Sequence, residues 1–238
     1  MKNWYYNEFK HCGVDYSTIE QAEKYDTEHQ KFRNYEEEYR EMLNYLSLSN
    51  TNNMTLIDFG CGTGALSICA SNDFKKIYAV DVSEVMLKQA QSKAEKIGIK
   101  NIEFINAGFL GYKHNSGPVD LITSKIAFHH LPDFWKQISL FNINKCLKME
   151  GIFDLFDIIY SLNLPEIEQK IDEFISGCAQ KAGKEMKEEV ETHIREEYST
   201  FDWIIEGMLK RAGFEIVKSR TFDGFSTEFV CKKNAEIK

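Results

Sequence analysis

No two of the six cysteines stand at paired spacing: Cys12, Cys61, Cys69, Cys146, Cys178 and Cys231 contain no C-x-x-C. A disulfide framework and a cysteine-ligated zinc site are therefore not expected, and no metal is assigned. Free thiols in a reducing cytoplasm are the expectation. The chain has no apolar run of about 18 residues and no N-terminal apolar segment of the signal-peptide kind, so neither a membrane span nor secretion is expected. It also lacks any Lys/Arg block: 29 basic residues face 37 acidic ones, for a net charge of −8. That disfavours nucleic acid as the main partner, because such binding rests on neutralising phosphates. Internal repeats and low-complexity linkers are missing too. Hydrophobic residues make up 43% of the 238, enough for one sizeable α/β domain with additions and too many for disorder.

What is present is concentrated in Leu56-Ile57-Asp58-Phe59-Gly60-Cys61-Gly62-Thr63-Gly64. Two apolar residues and an acid lead into three glycines at alternate positions, and the apolar run Leu66–Ala70 follows. This pattern predicts a strand, a tight turn and a helix opening behind it. Glycine lets a ligand approach the backbone, and free N–H groups at the helix start face it. Gly60, Gly62 and Ala65 also fit G-x-G-x-x-G/A, and Asp81 lies 21 residues after Gly60. An acid at the end of a second strand suits the hydroxyls of a ribose. The turn alone thus leaves two adenosine cofactors open, a nicotinamide dinucleotide or a sulfonium nucleoside.

Around the turn, strands are expected at 54–59, 76–82, 102–106, 119–124 and 152–159. Ser83 is the expected N-cap of a helix with Val85, Met86, Ala90, Ala94 and Ile97 on one face and Gly98 at its end. A second helix after Pro132 turns Trp135, Ile138, Phe141 and Leu147 inward and closes near Gly151. The alternation predicts a parallel sheet covered on both faces. A helix over 200–212 and two strands, 214–219 and 228–232, joined through a short loop with Gly224, predict a closing antiparallel hairpin. Residues 1–50 read as a helical cap, notably 35–48. Residues 161–199 read as a two-helix lid: Pro165 starts the first helix, Ile167, Ile171, Phe174, Ile175 and Cys178 stripe it, and the second spans 184–198. The expected division is 1–50, 51–160, 161–199 and 200–238.

The D-x-G-x-G-x-G run from Asp58 to Gly64 resembles motif I of the class I S-adenosylmethionine (SAM) methyltransferases. The likeness covers roughly 50–160 and 200–238. Asp81 matches that family's ribose clamp, and Val82 and Met86 match positions flanking adenine. Ile126-Ala127-Phe128-His129-His130-Leu131-Pro132-Asp133 resembles a segment of its small-molecule branch, which includes the ubiquinone and menaquinone methyltransferases. Lys148–Ile152 stands at the turn into strand five. The resemblance implies a doubly wound, mostly parallel seven-stranded α/β sheet with a C-terminal antiparallel hairpin, SAM as cofactor, S-adenosylhomocysteine as product and a small-molecule methyl acceptor. It implies cofactor contacts from Asp58, Gly60, Cys61, Gly62, Asp81, Val82, Met86, Gly108, Phe109 and Ser124, with Tyr25 and Arg33 closing from the N-terminal segment. One departure stands out. Many members carry an acid after strand three that accepts the adenine amino group, and Gly108 holds that place here. Backbone near Gly108 and Phe109, or stacking on Phe109, is expected instead.

Methyl transfer requires alignment of donor and acceptor and exclusion of water, plus a base only if the acceptor loses a proton early. His129 and His130 follow strand four, where one of them is a candidate base with a pKa near neutral. On the second lid helix, Met186, Val190, His193 and Glu197 fall within about 40° of one direction. His193 and Glu197 thus either project into the acceptor pocket or form an i,i+4 surface pair. Arg195 points away from them. Tyr160 is either pocket lining or core. The N/D-P-P-Y/F segment of amino-methylating enzymes is replaced by Ser124-Lys125-Ile126-Ala127, although a tRNA-modifying relative would lack it too. The competing readings are an NAD(P)-binding oxidoreductase and a non-catalytic SAM-binding partner protein. A homodimer is left open.

Overall fold

The computed structural model describes residues 3–10, 12–13 and 33–237. Seven strands form one sheet in the order β3-β2-β1-β4-β5-β9-β8: β1 Thr55–Phe59, β2 Lys76–Asp81, β3 Ile102–Asn106, β4 Val119–Lys125, β5 Leu147–Asp157, β8 Phe214–Phe222 and β9 Ser226–Lys233. The first five pair in parallel and β9 runs antiparallel to both β5 and β8. The expected doubly wound sheet with a reversed hairpin is therefore the fold observed. Two short strands, β6 Ile159–Tyr160 and β7 Thr200–Phe201, form a separate parallel pair.

Successive side chains of a strand face opposite layers, and the strands at the centre of the sheet are apolar on both. Ile57, Val80 and Ile122 join one buried cluster with Leu140 and Ile143 of α4 (Asp133–Cys146) and Ile205 and Leu209 of α6 (Asp202–Arg211). Leu56, Ile77 and Leu121 join the other, with Tyr39, Met42 and Leu46 of α1 (Tyr35–Leu46) and Ala70 of α2 (Ala65–Ala70). The helix near the N-terminus thus covers a sheet face, while residues 3–10 are turns and bends rather than helix. In α3 (Glu84–Lys96) the Ser83 hydroxyl accepts from the Met86 N–H at 3.3 Å, as the sequence predicts. Ile97 departs from prediction: it lies past the helix and is 65% exposed.

Three boundaries move. α4 ends at Cys146 and β5 begins at once at Leu147, so the turn expected near Gly151 is strand. The last helix starts at Asp202, because Thr200 and Phe201 are drawn into pairing with β6. The lid is a single run, α5 (Ile167–Glu196), broken at Gly183, whose φ of 87° and ψ of −172° no helix admits. It therefore behaves as the two expected helices across a kink.

Candidate active site

β1 and β4 are neighbours from opposite halves of the winding order, and ligands bind in such sheets at the carboxyl ends where the order reverses. Two devices fix the turn that leaves β1. The N–H groups of Gly60 and Cys61 both donate to the Val80 carbonyl, at 2.8 and 3.1 Å. Asp81, at the end of β2, accepts from the Gly62 N–H and the Ser83 N–H, both at 2.8 Å. Burial pushes the Asp81 carboxyl up. All three glycines take positive φ. A Cβ on Gly60 would lie 2.2 Å from the Ala127 Cβ, and one on Gly64 2.8 Å from the Ala90 Cβ. Gly62 has nothing within 4 Å of such an atom and lines the cavity.

That cavity measures about 370 Å³. Of the residues expected at the cofactor, Gly60, Gly62, Asp81, Val82, Met86, Gly108, Phe109 and Arg33 line it; Asp58, Cys61 and Ser124 do not. Asp58 is buried and accepts from the Ser67 hydroxyl at 2.6 Å and the Thr123 hydroxyl at 3.2 Å. It ties β1 to α2 and β4, and burial raises its carboxyl to about 6. Ser124 is buried within β4. Phe109 packs its ring on Phe59, with centroids 5.1 Å apart, and edge-on to Phe128. Arg33 reaches the cavity rim, but its forked hydrogen bond goes to Glu38, at 2.8 and 2.7 Å. Tyr25 lies outside the described residues.

The N-terminal segment contributes Glu8, Phe9, Lys10 and Cys12 to the lining, none of which the sequence reading identified. Glu8 accepts from the Leu110 N–H at 2.9 Å and the Gly111 N–H at 2.7 Å. A Cβ on Gly108 would sit 2.2 Å from its Oε2. The carboxylate missing from position 108 is therefore replaced in space by one from residue 8, and burial pushes the Glu8 carboxyl up.

The far half of the cavity sets His129, His130, His193 and Glu197 among apolar residues such as Phe174, Val190 and Ile194. β4 leaves through Ile126, at φ 53°, into a 3-10 turn over Phe128–His130. Asp157, at the end of β5, caps that turn: its Oδ2 accepts from the N–H groups of Ala127 (3.1 Å), Phe128 (2.5 Å) and His129 (3.3 Å). Its Oδ1 faces His129 Nδ1 at 2.5 Å. His129 Nε2 lies 3.1 Å from Glu197 Oε2, and these two side chains are 4% and 3% exposed. Glu197 also contacts His193 Nδ1, whose Nε2 meets the Ser199 hydroxyl at 2.7 Å. The structure thus brings His129, His193 and Glu197 together and links them to Asp157. His130 and Tyr160 line the same cavity. Arg195 is exposed and pairs with Glu196.

The charges follow from this packing. Burial by itself disfavours an imidazolium at His129; the Asp157 charge and hydrogen bond, together with Glu197, outweigh it and raise His129 to about 9. This corrects the expectation of a near-neutral value, because His129 lies between two carboxylates. Burial opposes ionisation of both acids, but His129 holds Asp157 at about 2, and the bonds from His129 and His193 hold Glu197 well below the usual range. Burial, then the His129 charge, pushes His130 down to about 3.

A parallel core, a reversed hairpin and a glycine turn facing an acid at the end of β2 define the class I SAM-dependent methyltransferase fold. Residues 56–151 match the methyltransferase domain family. An uncharacterized methyltransferase of Geobacillus sp. (strain WCH70) is 35% identical over 134 residues, 54% of this chain and 60% of that protein. Another, from Geobacillus thermodenitrificans (strain NG80-2), is 26% identical over 200 residues, 82% of this chain and 86% of that protein. The crystal structure of a SAM-dependent methyltransferase from Clostridium acetobutylicum shares the fold with a TM-score of 0.65 at 15% identity, covering 91% of this chain and 98% of that one. No helix among the described residues is long and apolar enough to cross a membrane.

Proposed function

We propose that this protein methylates a small-molecule acceptor with SAM, and that the acceptor lies between the glycine turn and the C-terminal half of α5. One observation carries the reading: Gly60, Gly62 and Asp81 line the same cavity as His129, His130, His193 and Glu197. The size of that space is within the range of small-molecule sites. The chain's own residues fit the donor. Gly62 leaves open room beside the turn, Asp81 presents a carboxylate for ribose hydroxyls, and Val82 is an apolar side chain 36% exposed at the cavity wall, suited to an adenine face. Glu8, above Gly108, is the acceptor for the adenine amino group.

SAM supplies an electrophilic methyl group on a sulfonium. The protein's share is to hold the acceptor in line and keep water out. The lid residues Phe174, Val190 and Ile194 wall the acceptor side, and residues 12–13 abut Glu196 and Glu197. His129 carries charge at neutral pH and is not itself the base; with Glu197 and His193 it positions a polar acceptor group. The test uses methyl-labelled SAM with a cell extract split into a low-molecular-weight filtrate and a macromolecular fraction. Label is expected in the filtrate. Label confined to protein or RNA would overturn the small-molecule reading and favour a macromolecular acceptor.

A further inference from the structure

The acceptor half of the cavity holds more ligating chemistry than positioning alone requires. Nitrogens of His129 and His130 and a carboxylate oxygen of Glu197 all lie within 4.8 Å of one another. Around a tetrahedral divalent ion with bonds of about 2.0–2.2 Å, neighbouring ligand atoms stand roughly 3.3–3.6 Å apart. The 3.1 Å between His129 Nε2 and Glu197 Oε2 is within a few tenths of an ångström of that spacing, and the third group closes onto it by side-chain rotation.

The surrounding hydrogen bonds orient these groups as ligands. A metal-binding histidine commonly gives its other ring nitrogen to a carboxylate, which fixes the ring. His129 does this through Nδ1 with Asp157, and Asp157 is itself held by four backbone N–H groups, those of Ala127, Phe128, His129 and Ile158. His193 Nδ1 contacts the same Glu197 Oε2 that faces His129, and His193 is fixed in turn by Ser199. The two halves of the cluster come from distant elements that are pinned together: the Tyr198 N–H donates to the His129 carbonyl at 2.9 Å, and the buried Lys136 ammonium donates to the Tyr198 carbonyl. Three ligand groups are thus held on two clamped segments, each with a supporting shell, beside open cavity volume.

We propose that His129, His130 and Glu197 bind a divalent first-row transition ion, with Asp157 and His193 as the outer-shell partners of His129 and Glu197. Two imidazoles and one carboxylate with open positions suit zinc and its first-row neighbours. Cysteine spacing gave no hint of this site, because its ligands are histidines and a glutamate from separate elements. The site stands on geometry alone. Its consequence for the acceptor rests on the methyl-transfer reading: binding displaces the Nε2 proton of His129 to solvent while Nδ1–H stays on Asp157, and the ion would then hold an oxygen of the acceptor in place.

The test uses the full-length, tag-free protein, dialysed against a chelator and titrated with Co²⁺ while visible absorption is followed, with zinc content measured separately after reloading and dialysis. The proposal expects one ion per chain and d–d bands that appear with loading. It expects at least tenfold weaker binding in Glu197→Gln and in His130→Asn, and about 10–100-fold weaker binding in Asp157→Asn. SAM titration of the same samples reports on the donor site separately. Zinc and cobalt far below one per chain in the wild-type protein would overturn the site, and this result needs no variant to fold. So would tight binding undiminished in both ligand variants. Metal binding without SAM binding would leave the site standing and sink the methyl-transfer reading.

Discussion

Gly60 and Gly62 share a backbone conformation but not a neighbourhood, and this separates stability from cofactor binding. Both take positive φ, 70° and 53°. An alanine at either position carries the left-handed cost of about 1–2 kcal/mol, partly offset by about 0.4–1 kcal/mol from a stiffer unfolded chain. At Gly62 the account ends there, because nothing lies within 4 Å of the added atom. At Gly60 the new Cβ would stand 2.2 Å from the Ala127 Cβ, on the segment that leads into the His129 turn. Separating the two to ordinary contact adds an overpacking cost of about 1–3 kcal/mol. Gly60→Ala should therefore lose about 2–4 kcal/mol in urea unfolding and Gly62→Ala about 1 kcal/mol. Calorimetry should show the reverse sensitivity for the cofactor. Gly62→Ala, folded and stable, should lose at least tenfold in SAM affinity, about 1.4 kcal/mol, because its methyl enters the space that the donor needs. Equal stabilities for the two variants would refute the packing argument. Unchanged SAM affinity in Gly62→Ala would refute the placement of the donor.

Three further outcomes are expected. Glu8→Gln keeps an acceptor for the Leu110 or Gly111 N–H but loses the charge above Gly108; SAM and S-adenosylhomocysteine should both weaken about tenfold in calorimetry, and equal affinities would remove Glu8 from the adenine site. Asp58, raised to about 6, keeps its proton in the folded state over a range where the unfolded chain has lost it; its contribution is therefore present below about pH 4 and lost as pH rises through 6, on the order of 3 kcal/mol. Asp58→Asn should remove that part of the pH dependence of chemical unfolding while SAM binding is retained, and an unchanged pH profile would contradict the assignment. Asp157→Asn breaks a buried pair that also caps the 128–130 turn and should cost about 3 kcal/mol; a loss below 1 kcal/mol in urea unfolding would show that the turn does not depend on it.

Much of the fold was legible because its signals are local. Glycine at alternate positions, Asp81 at a strand end and apolar strands between amphipathic helices each act over a few residues, and the reversed hairpin followed from a loop too short for a crossover. The misplaced boundaries lie where tertiary pairing overrides propensity, as at Thr200–Phe201 against β6 and at Leu147–Gly151 drawn into β5. Asp58 looked like a cofactor contact because it precedes the turn, but a strand residue two positions back points into the helix layer, where Ser67 and Thr123 satisfy it. His193 was visible as a polar residue on an apolar helix face; Glu197, expected one turn further along that helix, lies just past its end with extended backbone. Asp157 and Glu8 were not visible, since one is an ordinary acid at a strand end and the other lies in an irregular segment whose position only long-range contact determines. The charge state of His129 was equally hidden, because both of its carboxylate neighbours come from elsewhere in the chain.

SAM binding in the cavity at the carboxyl ends of β1 and β2 depends on Asp81, which closes the glycine turn and faces that cavity. Calorimetric titration of the purified protein with SAM, S-adenosylhomocysteine and NADH, repeated on Asp81→Asn, tests it most directly. The two adenosyl-sulfur ligands are expected to bind at micromolar concentration, about −8 kcal/mol, at least tenfold more weakly in the variant, with no heat from NADH. Binding of NADH alone, or SAM binding indifferent to residue 81, would contradict it.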